Sequence, residues 1–592
     1  MPLYVVTGCS TKGEHFVPMT SNDVNHNSPM NPHRKLHSVS PFSHDNTFNT
    51  RNNRPIIYGP EKKLCTKYRW LVFLVLSLVV VVFVMTGLFL WQVHLRHKSE
   101  AAQSIKQSQK PCQRLPKPIP LPDLRQFLSS KLKEMEEFIT KKKFGALSAN
   151  VVYRDNIIWS GAFGVISRSE KPSRKPKTSS IYPCASISKV LTALIVYKLF
   201  DESKITSLDD PVVKFDADFK IKNPFDQKHN ITLRNLLDMS SGIPREAPCY
   251  PSTKNNLCPY NHSVMIKRIQ NSSLLVEPNT ILQYSNFGYA LLGNVLAKAF
   301  SGGDYNALVK KYVLVPLGMK NTMLALNSKQ LNDVPRAYID GKLSSVVNWG
   351  WLDPAAGFFT TVEDLSKMVI HLMSDSNKDR YLSKYTTRLL FSIANVMTDG
   401  VTITGTPWEM SPIDGIVHRT KGGSIYGYRA LVAMVPELRI AMNVLCSNCE
   451  EFIYSLVQTY FDAKIVPVLR QHLSKLQQMK IVLPPNYSAY VGTYVTNDIP
   501  DLRSFVIVKE DKKLSAYVNK VPYFYLNYTA PRTFKVVINT DQMSCLNEYV
   551  IANVNEVLVF DEISSRDDLS HGFIASGASP SGKAYLYRAP SK

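Results

Sequence analysis

Acidic side chains are scarce in this chain. There are 47 aspartates and glutamates against 70 lysines and arginines among 592 residues, which gives a formal net charge of +23. Such a charge can indicate a nucleic-acid-binding protein. The basic residues are scattered, however, and no nucleic-acid-binding motif accompanies them. Much of the local excess flanks a long apolar segment, where anionic lipid headgroups attract it. We therefore expect a solvated basic surface and no nucleic-acid partner.

Cysteine is also sparse, with nine residues in the chain. Cys446-Ser-Asn-Cys449 has the spacing of a redox or zinc motif, but no second Cys/His pair lies in register, so a strand end followed by a helix is the favoured interpretation. Cys249 and Cys258 bracket a short polar loop and are the best candidates for a disulfide. The number of cysteines after residue 93 is odd, so one thiol stays unpaired in a monomer, and Cys112 could link two chains as a dimer. The sequence indicates no metal site and no cofactor.

Charged side chains are absent from Trp70 to Val93, a stretch long enough to span a bilayer. The stretch starts too late and runs too long for a cleaved signal peptide. Trp70 and Trp91 lie near its ends, as interfacial anchors do. Basic residues precede it more densely than they follow it, and those before it are Lys62, Lys63, Lys67 and Arg69. This bias predicts a single-pass type II membrane protein whose large C-terminal part is extracellular or luminal.

Glycosylation sequons agree with this orientation. Five sequons follow the apolar stretch and none precedes it in the sequence: Asn230, Asn261, Asn271, Asn486 and Asn527. Because N-glycans are added outside the cytosol, we expect glycosylation at these asparagines.

Composition divides the rest of the chain. Residues 1–69 are rich in Asn, Ser, His and Pro and predict a disordered cytoplasmic tail; its four histidines between residues 26 and 44 could bind metal but are better explained as solvated. Residues 94–122 predict a polar stalk that ends in a stiff, proline-containing spacer. Residues 123–470 predict a folded domain, and residues 478–592 contain short alternating strands typical of a small β-rich domain.

The folded part opens with a helical pattern of apolar residues from Asp123, the expected N-cap. Two strand-like runs follow, at Ala149–Arg154 and Ile157–Phe163, joined by the turn-forming pair Asp155-Asn156. Strands return after about residue 413, with a helix near residues 451–463. A mostly helical insert lies between these two sheet segments.

Three short motifs stand in order on the chain: Ser186-Ile-Ser-Lys189, Tyr284-Ser-Asn286 and Lys421-Gly-Gly423. A serine hydroxyl is a weak nucleophile until a neighbouring group takes its proton. If a helix begins at Ser186, Lys189 lies one turn along on the same face, within reach of the hydroxyl. The helix N-terminus also favours developing negative charge. Each motif can occur by chance in a chain of this length, so its order and context carry the argument.

The segments around these motifs resemble the serine β-lactamase and penicillin-binding-protein family, in its class C and esterase branch, and are similar to animal β-lactamase-like membrane proteins. The similar segments follow the family order: Tyr182–Ser186, Asp201–Pro211, Ile231–Pro244, Gln283–Gly293, Pro354–Leu365 and Lys421–Tyr428. The predicted fold class is therefore α/β, with an antiparallel sheet flanked by helices plus a mostly helical subdomain. A small C-terminal β domain and one N-terminal transmembrane helix complete it.

The resemblance also implies roles for the motif residues. Ser186 would attack a carbonyl carbon and become acylated, with Lys189 as general base and Tyr284 sharing the proton transfer. Asn286 would bind a substrate amide or hold the Lys189 ammonium. The third motif and the residue after it would bind substrate, and the backbone N–H groups of the nucleophile and of Ser424 would form the oxyanion hole. These substrate-binding residues are Lys421, Gly422, Gly423 and Ser424.

Departures from the family pattern bear on substrate and mechanism. The third motif is usually Lys-Thr-Gly or His-x-Gly, and here it is Lys-Gly-Gly. The retained lysine favours a substrate with a carboxylate, whereas the missing threonine hydroxyl removes one contact to it. No Ser-Asp-Asn motif with a downstream glutamate is present, so a class A deacylation scheme is not supported. His418 is an alternative base, although an ordinary strand-edge histidine is the favoured interpretation.

The sequence therefore predicts a membrane-anchored serine hydrolase that cleaves an amide or ester through an acyl-enzyme. Its substrate would be a small acyl compound, a peptide or a lipid. A catalytically weak β-lactamase-like ectodomain that binds a ligand or protein partner is one alternative, and a structural adhesion ectodomain is another. The intact set of five motif residues argues against the first alternative. The stalk and the added β domain alone favour the second.

Overall fold

The structure is a computed structural model that describes residues 64–108, 114–226, 229–253, 256–477, 480–499, 502–539, 545, 555–577 and 582–590. The predicted tail as far as residue 63 lies outside the described residues, and so does Cys112. The chain divides into two units, of which the second, Glu100–Lys592, carries the three motifs.

The helices of the described residues are α1 (Leu64–Ser108), α2 (Leu124–Phe127), α3 (Ser129–Thr140), α4 (Ser188–Asp201), α5 (Leu233–Leu237), α6 (His262–Ile269), α7 (Asn286–Ser301), α8 (Tyr305–Val309), α9 (Ser328–Asp333), α10 (Asp353–Ala356), α11 (Val362–Leu372), α12 (Lys384–Leu390), α13 (Phe452–Leu456) and α14 (Val466–Leu476). A π-helical stretch, Val457–Ile465, connects α13 to α14.

The strands are β1 (Ala146–Tyr153), β2 (Asn156–Gly164), β3 (Tyr182–Pro183), β4 (Tyr338–Ile339), β5 (Lys342–Leu343), β6 (Phe359–Thr360), β7 (Asn395–Val396), β8 (Ile403–Thr404), β9 (Glu409–Ile413), β10 (Ile416–Ile425), β11 (Tyr428–Val435), β12 (Ile440–Ser447), β13 (Gly492–Val495), β14 (Phe505–Glu510), β15 (Lys513–Val518), β16 (Val521–Ala530), β17 (Thr533–Ile538), β18 (Val557–Phe560), β19 (Gly572–Ala575) and β20 (Ala584–Arg588).

Helix α1 contains a segment, Phe73–His94, that is long and apolar enough to cross a membrane. Its large side chains are exposed, as Phe83 is to 74%. A helix satisfies its backbone hydrogen bonds internally, which is the requirement for a segment surrounded by lipid. Helix α1 continues to Ser108, so the first part of the predicted stalk, residues 94–108, is helical.

The proline-containing end of the predicted stalk contacts the folded domain. The Lys117 N–H donates to Gln477 Oε1 at 2.9 Å, and the Lys117 carbonyl accepts from Gln477 Nε2 at 2.6 Å. The Tyr153 hydroxyl donates to the Ile119 carbonyl at 2.7 Å. An extended proline-rich backbone forms no internal hydrogen bonds, so its carbonyls can accept bonds from the domain on which it lies.

The central sheet is antiparallel, in the order β2-β1-β12-β11-β10-β9-β8-β7. Every residue of β1 and β12 is buried because helices cover both faces. On β1, Val151 packs in the core cluster formed with α3, α13 and α14, and Val152 packs in the cluster formed with the helical insert. Neighbouring strand residues point to opposite faces, so the two clusters lie on the two sides of the sheet. This arrangement confirms the predicted fold class.

The first two strands lie where the sequence predicts them, but their turn was misplaced. Asn156 pairs with Tyr153 in the β1–β2 ladder, so the turn consists of Arg154 and Asp155. Arg154 has a positive φ of 53°. This conformation is uncommon for arginine, so the residue type does not predict it. Asp123 does precede α2, but its side chain makes no capping hydrogen bond.

The C-terminal strands β13–β20 form a closed antiparallel barrel, in which β20 pairs with β13. Aromatic rings fill its interior: the Phe560 ring centroid lies 5.2 Å from that of Phe534 and 5.0 Å from that of Tyr490, both edge to face. The Tyr494 hydroxyl accepts a hydrogen bond from Arg588 Nη2 at 2.8 Å. The alternating pattern of the sequence therefore corresponds to side chains that point alternately into and out of a barrel.

Candidate active site

Ser186 lies in a 3-10 turn, Ala185–Ile187, that leads directly into α4. Strand β3 pairs with β6 just before this turn, and the Cys184 N–H donates to the Phe358 carbonyl at 2.9 Å. Ala185 has a positive φ of 46°, a strained conformation that the paired flanks hold in place. The turn therefore presents a half-buried Ser186 at the N-terminal end of α4, which begins two residues later than expected, at Ser188.

Lys189 is fully buried, and its side-chain nitrogen contacts Ser186. Nζ donates to Ser186 Oγ at 3.3 Å, to Asn286 Oδ1 at 2.7 Å and to the Ala355 carbonyl at 3.0 Å. Burial lowers the pKa of Lys189; the neighbouring Tyr284 opposes that shift and the positive charge of Lys421 adds to it. A lysine with a lowered pKa can lose its proton and accept one from a hydroxyl group.

The Tyr284 hydroxyl donates to Ser186 Oγ at 2.8 Å, so Ser186 contacts two groups that can exchange protons. The Tyr284 ring centroid lies 4.8 Å from Lys189 Nζ and 5.4 Å from Lys421 Nζ. Burial acts to raise the pKa of Tyr284, but the two lysines and the hydrogen bond to Ser186 outweigh it and lower the pKa to about 8. The phenol can therefore take part in proton transfer near neutral pH.

Asn286 is the first residue of α7, which Ser285 caps by accepting a hydrogen bond from the Gly288 N–H. Its Oδ1 accepts a hydrogen bond from Lys189 Nζ. The resemblance implied either this contact or one to a substrate amide. Its Nδ2 donates to both carboxylate oxygens of Glu246, at 2.9 and 3.2 Å. Asn286 thus orients the lysine amine and is itself oriented by a carboxylate.

Lys421 lies on β10 with its side chain 1% exposed. Its Nζ forms an ion pair with Glu409 Oε1 and donates to the Gly422 carbonyl at 3.2 Å. Burial acts to lower the pKa of Lys421, but the charge of Glu409 outweighs it, so the pKa is raised and the ammonium stays charged. The cation predicted from the third motif therefore lies beside Tyr284, already paired with a carboxylate of the same chain.

Gly423 allows β10 to touch the turn that carries the nucleophile. A Cβ at this position would overlap the Cys184 carbonyl oxygen and would lie 3.2 Å from the Ser186 nitrogen. Ser424 follows on the same strand and pairs with Arg429 of β11. The backbone of the third motif and the Ser186 N–H are thus adjacent, which is the arrangement that the predicted oxyanion hole requires.

His418 lies on the opposite face of β10 from Lys421, because three residues separate them on a strand. Its Nδ1 lies 2.6 Å from Asp462 Oδ1, and its ring packs edge to face on Phe461. This is the ordinary hydrogen-bonded strand histidine that the sequence favoured. The structure does not bring His418 to Ser186.

Sequence reasoning did not single out two carboxylates of the site, Glu246 and Glu409. Glu246 lies two residues after Pro244, in a segment whose backbone conformation the motifs do not determine. The position of Glu409 beside β10 could have been predicted from the sequence, because Asp414-Gly415 is a two-residue hairpin turn between β9 and β10. Both turn residues have positive φ, 48° and 76°, and the resulting register sets Glu409 opposite Thr420.

The sequon asparagines lie at the surface or close to it. Asn527 is half-buried, and its Oδ1 accepts from the Val482 N–H at 2.9 Å. The exposed ones are Asn230, Asn261, Asn271 and Asn486. Glycosylation at these positions stays a prediction.

The cysteines considered as disulfide candidates are close in space. Cys249 and Cys258 are joined by a disulfide with a Cα–Cα distance of 4.8 Å. Cys446 and Cys449 are also joined, where the sequence favoured only a strand end followed by a helix. Cys184 is a free, buried thiol.

The class of protein follows from this site and from comparison with known proteins. The β-lactamase family model matches residues 132–451. The chain belongs to this family of β-lactamase and penicillin-binding-protein-like serine hydrolases, as its resemblance implied.

Individual relatives give the same assignment. Beta-lactamase-like protein 2 of Dictyostelium discoideum is 32% identical over 496 residues, which cover 77% of this chain and 87% of the relative. The D-alanyl-D-alanine-carboxypeptidase/endopeptidase AmpH of Escherichia coli is 28% identical over 46% of this chain and 72% of the relative. A β-lactamase/D-alanine carboxypeptidase from Yersinia pestis has a similar fold, with a TM-score of 0.50 at 21% identity over 59% of this chain and 98% of that one.

Replacing Gly423 with alanine should displace the nucleophile. The new Cβ would overlap the Cys184 carbonyl oxygen, so either the Ser186 turn or β10 must move. A displacement of about 1 Å near the chemistry costs on the order of 100-fold in rate, and we expect a loss of that size in the rate of Ser186 acylation by a fluorophosphonate. Gly422→Ala should lose less, because its Cβ would meet the end of the Tyr454 side chain at 3.1 Å. Equal losses in both variants would contradict this account.

The rate of Ser186 acylation should fall as the pH rises above the pKa of Tyr284, about 8. Above that pH the phenol has lost the proton that it gives to the leaving group, so the rate should fall about tenfold per pH unit. The measurement is the labelling rate with an uncharged fluorophosphonate from pH 6 to 10. Tyr284→Phe should remove this dependence, and Tyr250→Phe, at a tyrosine 86% exposed, should keep it. A flat profile in the unmodified protein would exclude the proposed titration.

Proposed function

We propose that this protein is a membrane-anchored serine hydrolase that cleaves an amide or ester through an acyl-enzyme on Ser186. The observation that carries the proposal is that Ser186 Oγ contacts Lys189 Nζ at 3.3 Å and Tyr284 Oη at 2.8 Å. Burial lowers the pKa of Lys189, which prepares its amine to act as general base.

In the acylation step, Lys189 Nζ takes the proton of the Ser186 hydroxyl as Oγ attacks the substrate carbonyl carbon. Negative charge develops on the carbonyl oxygen, which faces the backbone N–H groups of Ser186 and Ser424. When the tetrahedral intermediate collapses, Tyr284 gives a proton to the leaving amine or alcohol and regains one from Lys189. Water then cleaves the acyl-enzyme and releases the acid.

The substrate of the proposed reaction is a small acyl compound, a peptide or a lipid. The name of the E. coli relative, a carboxypeptidase and endopeptidase, supports an amide bond as one target. The group proposed to lie against the substrate is the backbone of β10 at Gly423 and Ser424, because Asn286 is already bonded to Lys189 and Glu246.

Intact-mass analysis of the detergent-solubilised full chain tests the proposal directly. After exposure to a fluorophosphonate, we expect one adduct, because the reagent reacts with an activated serine hydroxyl. Lys189→Ala should slow labelling by several orders of magnitude, since loss of a base that acts with its nucleophile costs about 10⁴-fold or more. A penicillin provides a second acylating reagent.

Ser186→Ala is the control for this experiment, and it should remove the adduct. An adduct that persists in Ser186→Ala would place the nucleophile elsewhere. A folded protein that forms no adduct would contradict the hydrolase and favour the binding-module alternative. Labelling of Lys189→Ala at the unmodified rate would show that Lys189 is not the base.

We also propose a single-pass type II topology with the hydrolase domain in extracellular or luminal space. Three features support this topology: the apolar segment Phe73–His94 of α1, the basic residues that precede it, and sequon asparagines found only after it. The same compartment would allow the disulfide between Cys249 and Cys258 to persist.

Protection and deglycosylation test this topology. In sealed membrane vesicles from expressing cells, peptide-N-glycosidase added after solubilisation should lower the apparent mass of the protein. Replacing the sequon asparagines with glutamine should remove the shift: Asn230, Asn261, Asn271, Asn486 and Asn527. A protein whose mass does not change, or whose C-terminal part protease digests from the cytosolic side, would contradict the proposed orientation.

A further inference from the structure

The third motif already holds a carboxylate. Lys421 Nζ pairs with Glu409 Oε1, and the Gly422 N–H donates to Glu409 Oε2 at 3.1 Å. Both carboxylate oxygens are therefore bound by the lysine and backbone of one motif. These are the groups that would otherwise be available to a carboxylate of the substrate.

The position of Glu409 is fixed by the sheet. Glu409 lies at the start of β9, opposite Thr420 on β10, and the Thr420 hydroxyl donates to the Glu409 carbonyl at 3.1 Å. The Glu409 side chain is 51% exposed, so its carboxylate reaches Lys421 from the solvent side. A ligand that approaches Lys421 from solvent meets this negative charge first.

A substrate carboxylate cannot easily replace Glu409 in this ion pair, because Lys421 itself is buried. An ammonium group that is 1% exposed cannot be solvated by water if its partner leaves. A substrate carboxylate would have to displace Glu409, or share the cation with it, and two carboxylates at one cation repel each other. The absent threonine hydroxyl of the third motif leaves the incoming carboxylate without a compensating contact.

We propose that Glu409 is a specificity-determining residue that occupies the carboxylate site of Lys421, so that the enzyme accepts acyl groups that are neutral or cationic and rejects those with a free carboxylate. The inference rests on the proposed hydrolase function of Ser186. It departs from the expectation drawn from the lysine alone, which favoured a substrate with a carboxylate. Lys421 is then a fixed positive charge beside Tyr284 and not a substrate anchor.

Two chromogenic esters that differ in one charge test the inference on the detergent-solubilised full chain. They are p-nitrophenyl hydrogen suberate, which carries a free carboxylate, and its methyl ester, which is neutral. Like charges brought together at a binding site repel each other and disfavour binding. We therefore expect the nitrophenolate burst to be at least about tenfold faster with the neutral ester.

Glu409→Gln should change this preference, since the amide removes the negative charge and its single oxygen can accept from Lys421 or from Gly422 but not from both. We expect the carboxylate ester to gain at least about tenfold relative to the neutral one. Glu437→Gln is the matched control: it removes the carboxylate that pairs with Arg419 at 2.9 Å on the same strand, and it should keep the original preference.

The outcomes separate the two proposals. An unmodified protein without a fluorophosphonate adduct would refute the hydrolase itself. An unmodified protein that labels but takes both esters at equal rates would overturn the inference, whatever the variants do. A preference for the neutral ester that Glu409→Gln leaves unchanged in a protein that still labels would also overturn it, because the selectivity would then arise elsewhere.

Discussion

Two buried lysines place Nζ 4.8 and 5.4 Å from the ring centroid of one phenol, Tyr284, and the properties of the site depend on how the charge of each lysine is accommodated. Lys189 contacts neutral oxygens of Asn286 and Ala355, and burial lowers its pKa. Lys421 pairs with Glu409 and keeps its charge. The surroundings of the two lysines thus shift their pKa values in opposite directions. Both positive charges act to lower the pKa of Tyr284.

This pairing requires close contact between the sheet and the helical insert. Two glycines allow the necessary contacts. A Cβ at Gly423 would overlap the Cys184 carbonyl oxygen, so β10 could not approach the Ser186 turn. A Cβ at Gly293 of α7 would overlap the Pro354 ring of α10, so the neighbouring Ala355 carbonyl could not reach Lys189. The catalytic arrangement is therefore fixed by backbone proximity as well as by side chains.

The sequence predicts the parts of this molecule whose signals are local. The Ser186 and Tyr284 motifs carry their own chemistry, and the alternating residues after residue 478 indicate the strands of the barrel. The contacts of the stalk with the folded domain could not be predicted in the same way, because its proline-rich composition indicates only a stiff, extended backbone. What binds it, Gln477, lies 360 residues away from Lys117. Contacts at such separations depend on the completed fold and leave no local pattern.

The position of Glu409 depends on both local sequence and the completed fold, since a local turn determines which charge reaches the site. The Asp414-Gly415 hairpin has two residues with positive φ, a geometry that fixes the register of β9 against β10. A register shift of one residue would move Glu409 by about 3.4 Å along β10 and would break its contacts with Lys421 and Gly422. The ammonium group would then be buried without its partner, at a cost of several kcal/mol. The charge that a substrate meets at Lys421 is therefore encoded in the turn as much as in the Lys-Gly-Gly motif.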